Sequence, residues 1–121
     1  PVDSIGRASM CGIAGILNLC HTRSAKGEMD RMLTVMLDAM VHRGPDGEGR
    51  VVTDEMALGH RRLAILDLSE AGQQPMTNAR GDIVTAVNGE IYNYRDITAK
   101  LQAAGYQFAS TCDSEVLVHA Y

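Results

Sequence analysis

The chain has 121 residues, 45% of them apolar and 21% charged, which excludes an intrinsically disordered tract and fits one small domain or part of a larger one. Its net charge of −4, with 11 scattered Lys and Arg, argues against a nucleic-acid surface, which needs clustered cations. No apolar run approaches the ~20 residues of a membrane-spanning helix, and the odd number of cysteines, Cys11, Cys20 and Cys112, suits free thiols in a reducing, cytoplasmic setting.

Residues 1–9, PVDSIGRAS, have no periodicity and read as a tag or a short propeptide ahead of Met10. The apolar run at 11–19, rich in Ile, Leu and Gly, predicts a strand buried on both faces inside a sheet. Gly12, Gly15 and Asn18 interrupt it and speak against a signal peptide. Met29, Met32, Leu33, Met36, Leu37 and Met40 recur at helical spacing opposite Asp30, Arg31, Thr34 and Asp38, so an amphipathic helix with a methionine-rich core stripe is expected. HRGPDGEG stops it at Gly44 and Pro45 and supplies a turn. Strands are predicted at 50–53 and 56–67, joined by Asp54 and Glu55.

After the loop SEAGQQPM, a turn through Asn78 to Gly81 leads into a strand ending sharply at Asn88 and Gly89. A second helix begins at an Asn93 cap, presents Ile97, Leu101 and Ala104, and stops at Gly105. A short strand at 106–110, YQFAS, precedes a third helix capped by Asp113, with Val116, Leu117, Ala120 and Tyr121 as its apolar side. Hairpins mixed with helices predict an α+β fold of mostly antiparallel sheets with flanking helices.

Cys11 is open to two readings, a small buried hydrophobe or a nucleophile. If Cys11 becomes the first residue, its α-amine, with an ordinary pKa of ~7.7–8.0 against ~8.5 for the thiol, is a base within reach of its own sulfur. A metal site from Cys20, His21, His42 and His60 lacks ligand spacing, and no phosphate-binding loop or serine-nucleophile elbow is present in the sequence.

MCGIAGILNL, HRGPDGEG, LGHRRLAILDLS, GQQPM, NGEIYNY and CDSEVL occur in that order. Together, from Met10 to Tyr121, they resemble the N-terminal glutaminase domain of class II glutamine amidotransferases, most closely that of the glutamine-hydrolysing asparagine synthetases. The resemblance implies part of an αββα sandwich of the N-terminal nucleophile hydrolase type, incomplete at its C-terminus. It implies Cys11 as nucleophile with its own α-amine as base. Asn88 and Gly89, which as a turn could equally be structural, are implied as oxyanion donors, a side-chain amide and a backbone N–H.

The same resemblance implies Arg62 as the clamp on the glutamine α-carboxylate, with Leu63 beside it, and Glu90 and Asp113 as partners of the substrate ammonium. Alternation along a strand puts Arg61 on the opposite face from Arg62. Asp113 has a second reading as a helix cap, and Cys112 stands where the family commonly has serine. His42, Arg43 and His60 read as structural. No metal or cofactor is expected in this domain. ATP and Mg belong to a C-terminal synthetase domain, the expected partner that receives ammonia. The rival reading is a noncatalytic truncated domain that forms a homo-oligomer through an unfinished sheet edge.

Overall fold

Glycine-punctuated runs on either side of one helix pair with each other and bury that helix's leucines. In the computed structural model, which describes residues 10–19, 25–63 and 72–121, β1 (Gly12–Leu17), β2 (Gly47–Val52) and β3 (Met56–Arg62) form an antiparallel sheet in the order β1-β3-β2. Gly12 lies opposite Arg61, and Gly47 opposite Arg62. The helix α1 (Ala25–Asp38) crosses one face and presents Met29, Leu33 and Leu37, one residue per turn, to Ala14 and Ala57. Leu33 and Leu37 are wholly buried, each stabilising the packing by about 1.5–3 kcal/mol. Arg61 fastens the end of α1 to the sheet: its Nε donates to the Leu37 carbonyl at 3.0 Å, and its guanidinium pairs with Asp38 at 3.2 Å and Glu48 at 2.8 Å.

A second, smaller unit completes the α+β arrangement. β4 (Met76–Thr77) and β5 (Val84–Thr85) form a hairpin whose turn is held by Asn78, its Oδ1 accepting the N–H groups of Asp82 and Ile83 at 3.1 and 3.2 Å. Both strands touch α3 (Glu115–Ala120), which buries Val116 and Val118 and also touches α2 (Tyr94–Ala103).

Several sequence expectations need correction. β1 is not buried on both faces: among the described residues it is the edge strand of its sheet, and Ile13, Gly15 and Leu17 are exposed on the face away from α1. Met32 and Met36 lie on the outer side of α1, because only the i, i+4, i+8 line faces the sheet, and Met40 falls in the turn beyond the helix. β2 begins at Gly47 rather than 50, since Gly47 and Gly49 pair in the ladder with Arg62 and His60. β3 ends at Arg62, and the part of its predicted span at 64–67 lies outside the described residues, as do 1–9, Cys20 and His21. The strand predicted to reach Asn88 is only the two residues of β5.

Residues 106–110 form no strand. Phe108 packs edge-on against His119 with ring centres 4.6 Å apart, and the N–H groups of Ala109 and Ser110 donate to the Glu115 carboxylate instead of to a ladder. On α3, Val116 and Val118 are buried, whereas Leu117, Ala120 and Tyr121 are exposed. Asn93 does precede α2 and Gly105, at φ 96°, does end it, but the Asn93 side chain makes no cap hydrogen bond and Ala104 is exposed.

Candidate active site

The antiparallel register that sets Gly12 opposite Arg61 brings Cys11, just before β1, to the level of Arg62 and Leu63. There the Leu63 N–H donates to Cys11 Sγ at 3.3 Å, and Sγ lies 3.8 Å from the Leu63 carbonyl. The carbonyl of Cys11 accepts from Arg43 Nε at 3.3 Å. Arg43 belongs to the HRGPDG turn, which packs so closely on β3 that a Cβ on Gly44 would stand 2.4 Å from the Arg61 carbonyl carbon. Only glycine fits there. The motif that opens on His42 therefore ends in a structural role, holding the backbone of Cys11 and the strand end that carries Arg62.

Strand alternation divides the three basic residues of β3. Arg61 turns towards α1, while His60 and Arg62 line a cavity of about 300 Å³. The same cavity is lined by Cys11, Leu63, Asn88, Gly89, Glu90 and Asp113, so all seven candidate residues from the sequence meet in one hollow. Its remaining wall includes Gln74, Val87, Tyr92, Cys112 and Ser114. Arg62 brings positive charge, and Glu90 and Asp113 bring negative charge, a distribution suited to the two ends of a free amino acid.

His60 is buried. Burial holds its imidazole below the ordinary value, the Val87 carbonyl partly opposes this, and the charge of Arg62 lowers it further. The neutral ring has its Nε2 3.2 Å from the Val87 carbonyl, and its buried Nδ1 has no partner among the described residues. A donor at Nε2 with a bare Nδ1 is the tautomer that satisfies this geometry. Burial likewise pushes the Cys112 thiol up, with hydrogen bonds from Ser114 opposing. Cys112 Sγ lies 3.7 Å from Asp113 Oδ1.

The Asp113 side chain is not a helix cap. Its Oδ2 accepts the Ile91 N–H at 2.6 Å, across 22 residues of sequence, and α3 starts after Ser114. Asn88 and Gly89 form an exposed bend beyond β5, and nothing lies within 4 Å of where a Gly89 side chain would begin.

Sequence reasoning did not single out Gln74 and Ser114, which are buried beside the site and hydrogen-bonded to each other. The block GQQPM was the only signal pointing to Gln74. Among the described residues, no group of three or more His, Cys, Asp and Glu is placed to hold a metal ion, and no helix is long and apolar enough to cross a membrane.

A family model described as a glutamine amidotransferase domain matches residues 10–121. The chain is 46% identical over 112 residues to an asparagine synthetase (glutamine-hydrolysing) 2 of Bacillus subtilis, with 93% of this chain and 14% of that protein covered. It is 41% identical over 115 residues to asparagine synthetase (glutamine-hydrolysing) 3 of the same organism and 40% identical over 121 residues to the amidase chry2 of Gibberella zeae. Each of those alignments covers 93% of this chain and 18% of the relative, so the chain spans less than a fifth of the curated proteins it matches.

Proposed function

The chain belongs to the glutamine amidotransferase domain family, and on that premise we propose that it hydrolyses the side-chain amide of glutamine to glutamate and ammonia. The observation that carries this reading is the convergence of Cys11, Arg62, Leu63, Asn88, Gly89, Glu90 and Asp113, up to 102 positions apart, on a single cavity large enough for an amino acid.

With Cys11 as the first residue, its α-amine takes the thiol proton and Sγ, steadied by the Leu63 N–H, attacks the amide carbon. The negative charge that develops on the amide oxygen is met by the Asn88 side-chain amide and the Gly89 N–H. Collapse breaks the carbon–nitrogen bond, the protonated amine returns its proton to the departing nitrogen, and ammonia leaves a γ-glutamyl thioester. Water, deprotonated by the same amine, then attacks that thioester, and glutamate leaves as Sγ regains a proton. Arg62 grips the α-carboxylate, Glu90 and Asp113 the α-ammonium, and Leu63 packs on the substrate stem.

The two sheets of the full domain form an αββα sandwich in this reading. The ammonia passes to a C-terminal synthetase domain, where ATP and Mg support transfer to an acceptor, aspartate if the whole protein acts as its asparagine synthetase relatives are named. The glutaminase step itself uses neither metal nor cofactor.

The test is ammonia release from glutamine by the chain processed to begin at Cys11, beside the chain with its first ten residues attached and a Cys11→Ala variant. The reading expects release from the first alone. Equal release from all three overturns it.

A further inference from the structure

Among the described residues, no strand holds the turn that carries Asn88, Gly89 and Glu90. β5 ends at Thr85, so both polar groups of the Val87 backbone need partners from elsewhere. Two side chains supply them: Gln74 Oε1 accepts the Val87 N–H at 2.6 Å, and His60 Nε2 meets the Val87 carbonyl at 3.2 Å. Because a peptide unit is planar, anchoring the Val87 carbonyl also sets the direction of the Asn88 N–H. At the far end of the turn, Ile91 donates its N–H to Asp113 Oδ2 at 2.6 Å.

The other end of the Gln74 carboxamide links these anchors. Its Nε2 donates to Ser114 Oγ at 3.3 Å, and Ser114 Oγ lies 3.3 Å from Asp113 Oδ1. The result is a closed ring of hydrogen bonds running Val87, Gln74, Ser114, Asp113, Ile91 and back along the chain through residues 90, 89 and 88. Gln74 is 7% exposed, Ser114 2% and Asp113 6%, so the bonds among these three are shielded from water, while those to Val87 and Ile91 are half-buried. Gln74 is also seated from behind. A Cβ on Gly49 would stand 2.0 Å from the Gln74 carbonyl oxygen, and Gln73 Nε2 donates to the Glu48 carbonyl.

We infer that Gln74 is a positioning residue of the site, its carboxamide setting the spacing between the Asn88–Gly89 turn and the carboxylate of Asp113. One arm of the amide fixes the donors that meet the oxyanion, and the other fixes the group that meets the substrate ammonium. A leucine of similar size fills the same space without joining the two. The kinetic consequence rests on the glutaminase reading; the geometry does not.

The experiment compares Gln74→Leu, which removes both arms, with Gln74→Glu, which keeps an acceptor for the Val87 N–H but no donor for Ser114. Kinetics are measured on chains processed to begin at Cys11, with reactive chains counted by labelling with a diazoketone analogue of glutamine. In the full 121-residue chain, NMR follows the backbone amides of Val87, Gly89 and Ile91 and the Asn88 side-chain amide.

Gln74→Leu is expected to lower kcat/KM per reactive chain about 10- to 100-fold, with kcat falling and KM rising together. Gln74→Glu is expected to recover part of kcat while KM stays high. All four amide signals are expected to move in Gln74→Leu, with Val87 losing protection from exchange. A Gln74→Leu chain that shows unchanged kcat and KM per reactive chain, with fewer reactive chains, marks a purely structural residue and overturns the inference. If Gln74→Leu does not fold, the kcat and KM split in Gln74→Glu decides, and a uniform loss overturns it. If the parent chain releases no ammonia, the glutaminase reading falls and the amide signals alone decide: moved signals support the positioning role, unmoved signals refute it.

Discussion

Replacing Gly49 by alanine tests how closely the fold couples the three-stranded sheet to the site. The added Cβ would lie 2.0 Å from the carbonyl oxygen of Gln74 and 2.9 Å from its carbonyl carbon, both backbone atoms that cannot swing aside. Carbon and oxygen rest at ~3.3 Å or more, so β2 and the Gln74 backbone must separate by over ~1 Å. Overpacking of this kind costs about 1–3 kcal/mol, and stretching the 2.6 Å bond from Val87 to Gln74 adds about 1 kcal/mol. A loss of roughly 2–4 kcal/mol is a large share of the ~5–15 kcal/mol that holds a domain of this size together. Urea unfolding followed by circular dichroism measures it, with an unchanged m-value showing that the unfolded state is the same. A Gly49→Ala chain within about 0.5 kcal/mol of the parent would refute the close approach and with it the seating of Gln74.

Other outcomes follow from the same geometry. Asp113→Asn keeps an oxygen for the Ile91 N–H and is expected to raise KM for glutamine about 10- to 150-fold by loss of charge while sparing stability; Asp113→Ala also strands that N–H, and its unfolding free energy is expected to fall by about 1–3 kcal/mol. Arg61→Ala and Arg62→Ala should separate, the first lowering the melting temperature because Arg61 ties α1 to the sheet, the second raising KM. Leu33→Ala, at a wholly buried position on the sheet-facing side of α1, should cost about 2–5 kcal/mol in denaturant titration.

Acid titration gives the last of these predictions. Burial pushes the Glu115 carboxyl up, but the donors of Ser110 and Ala109 outweigh it and hold the folded value below the ordinary 4.5. Its contribution to stability is therefore complete above that value and is lost as pH falls through the folded one. Glu115→Gln should lose less stability than the parent as pH falls below 4.5, measured by thermal melts at successive acid pH values. His60 acts earlier: with its folded value depressed below 6.5, the unfolded chain takes up a proton first, and stability falls as pH drops below 6.5.

Much of this architecture was legible in the sequence because its signals are local. The methionine and leucine spacing locates α1, the Asp54–Glu55 pair marks a hairpin, and Gly105 ends α2 at a positive φ. What the pattern could not show is decided across the fold. Period alone does not say which half of a wide apolar stripe meets the sheet, so Leu33 and Met32 read alike although one is buried and the other exposed. Residues 106–110 look like a strand by their aromatics, but Phe108 finds His119 and the backbone finds Glu115.

The site divides the same way. Chemistry-bearing residues in recognisable blocks, Cys11, Arg62, Asn88 and Asp113, are legible in the sequence, and all four line one cavity. At Asp113 the local pattern offers a helix cap beside the substrate-facing role, and the partner its carboxylate takes, the Ile91 N–H, lies 22 residues away, where no local pattern points. Beyond its place in the block GQQPM, Gln74 carries no sequence signal of a role, and only the folded chain shows its carboxamide between Val87 and Ser114.

The central claim is that the sulfur of Cys11 forms a covalent bond to the γ-carbonyl of glutamine. Rapid acid quenching of the chain processed to Cys11, mixed with glutamine and followed by peptide mass analysis, reads that bond directly. The account predicts one γ-glutamyl group on the peptide that begins at Cys11, absent when Pro1 to Met10 remain attached. Ammonia release with no such adduct, or an adduct on Cys112 instead, would contradict it.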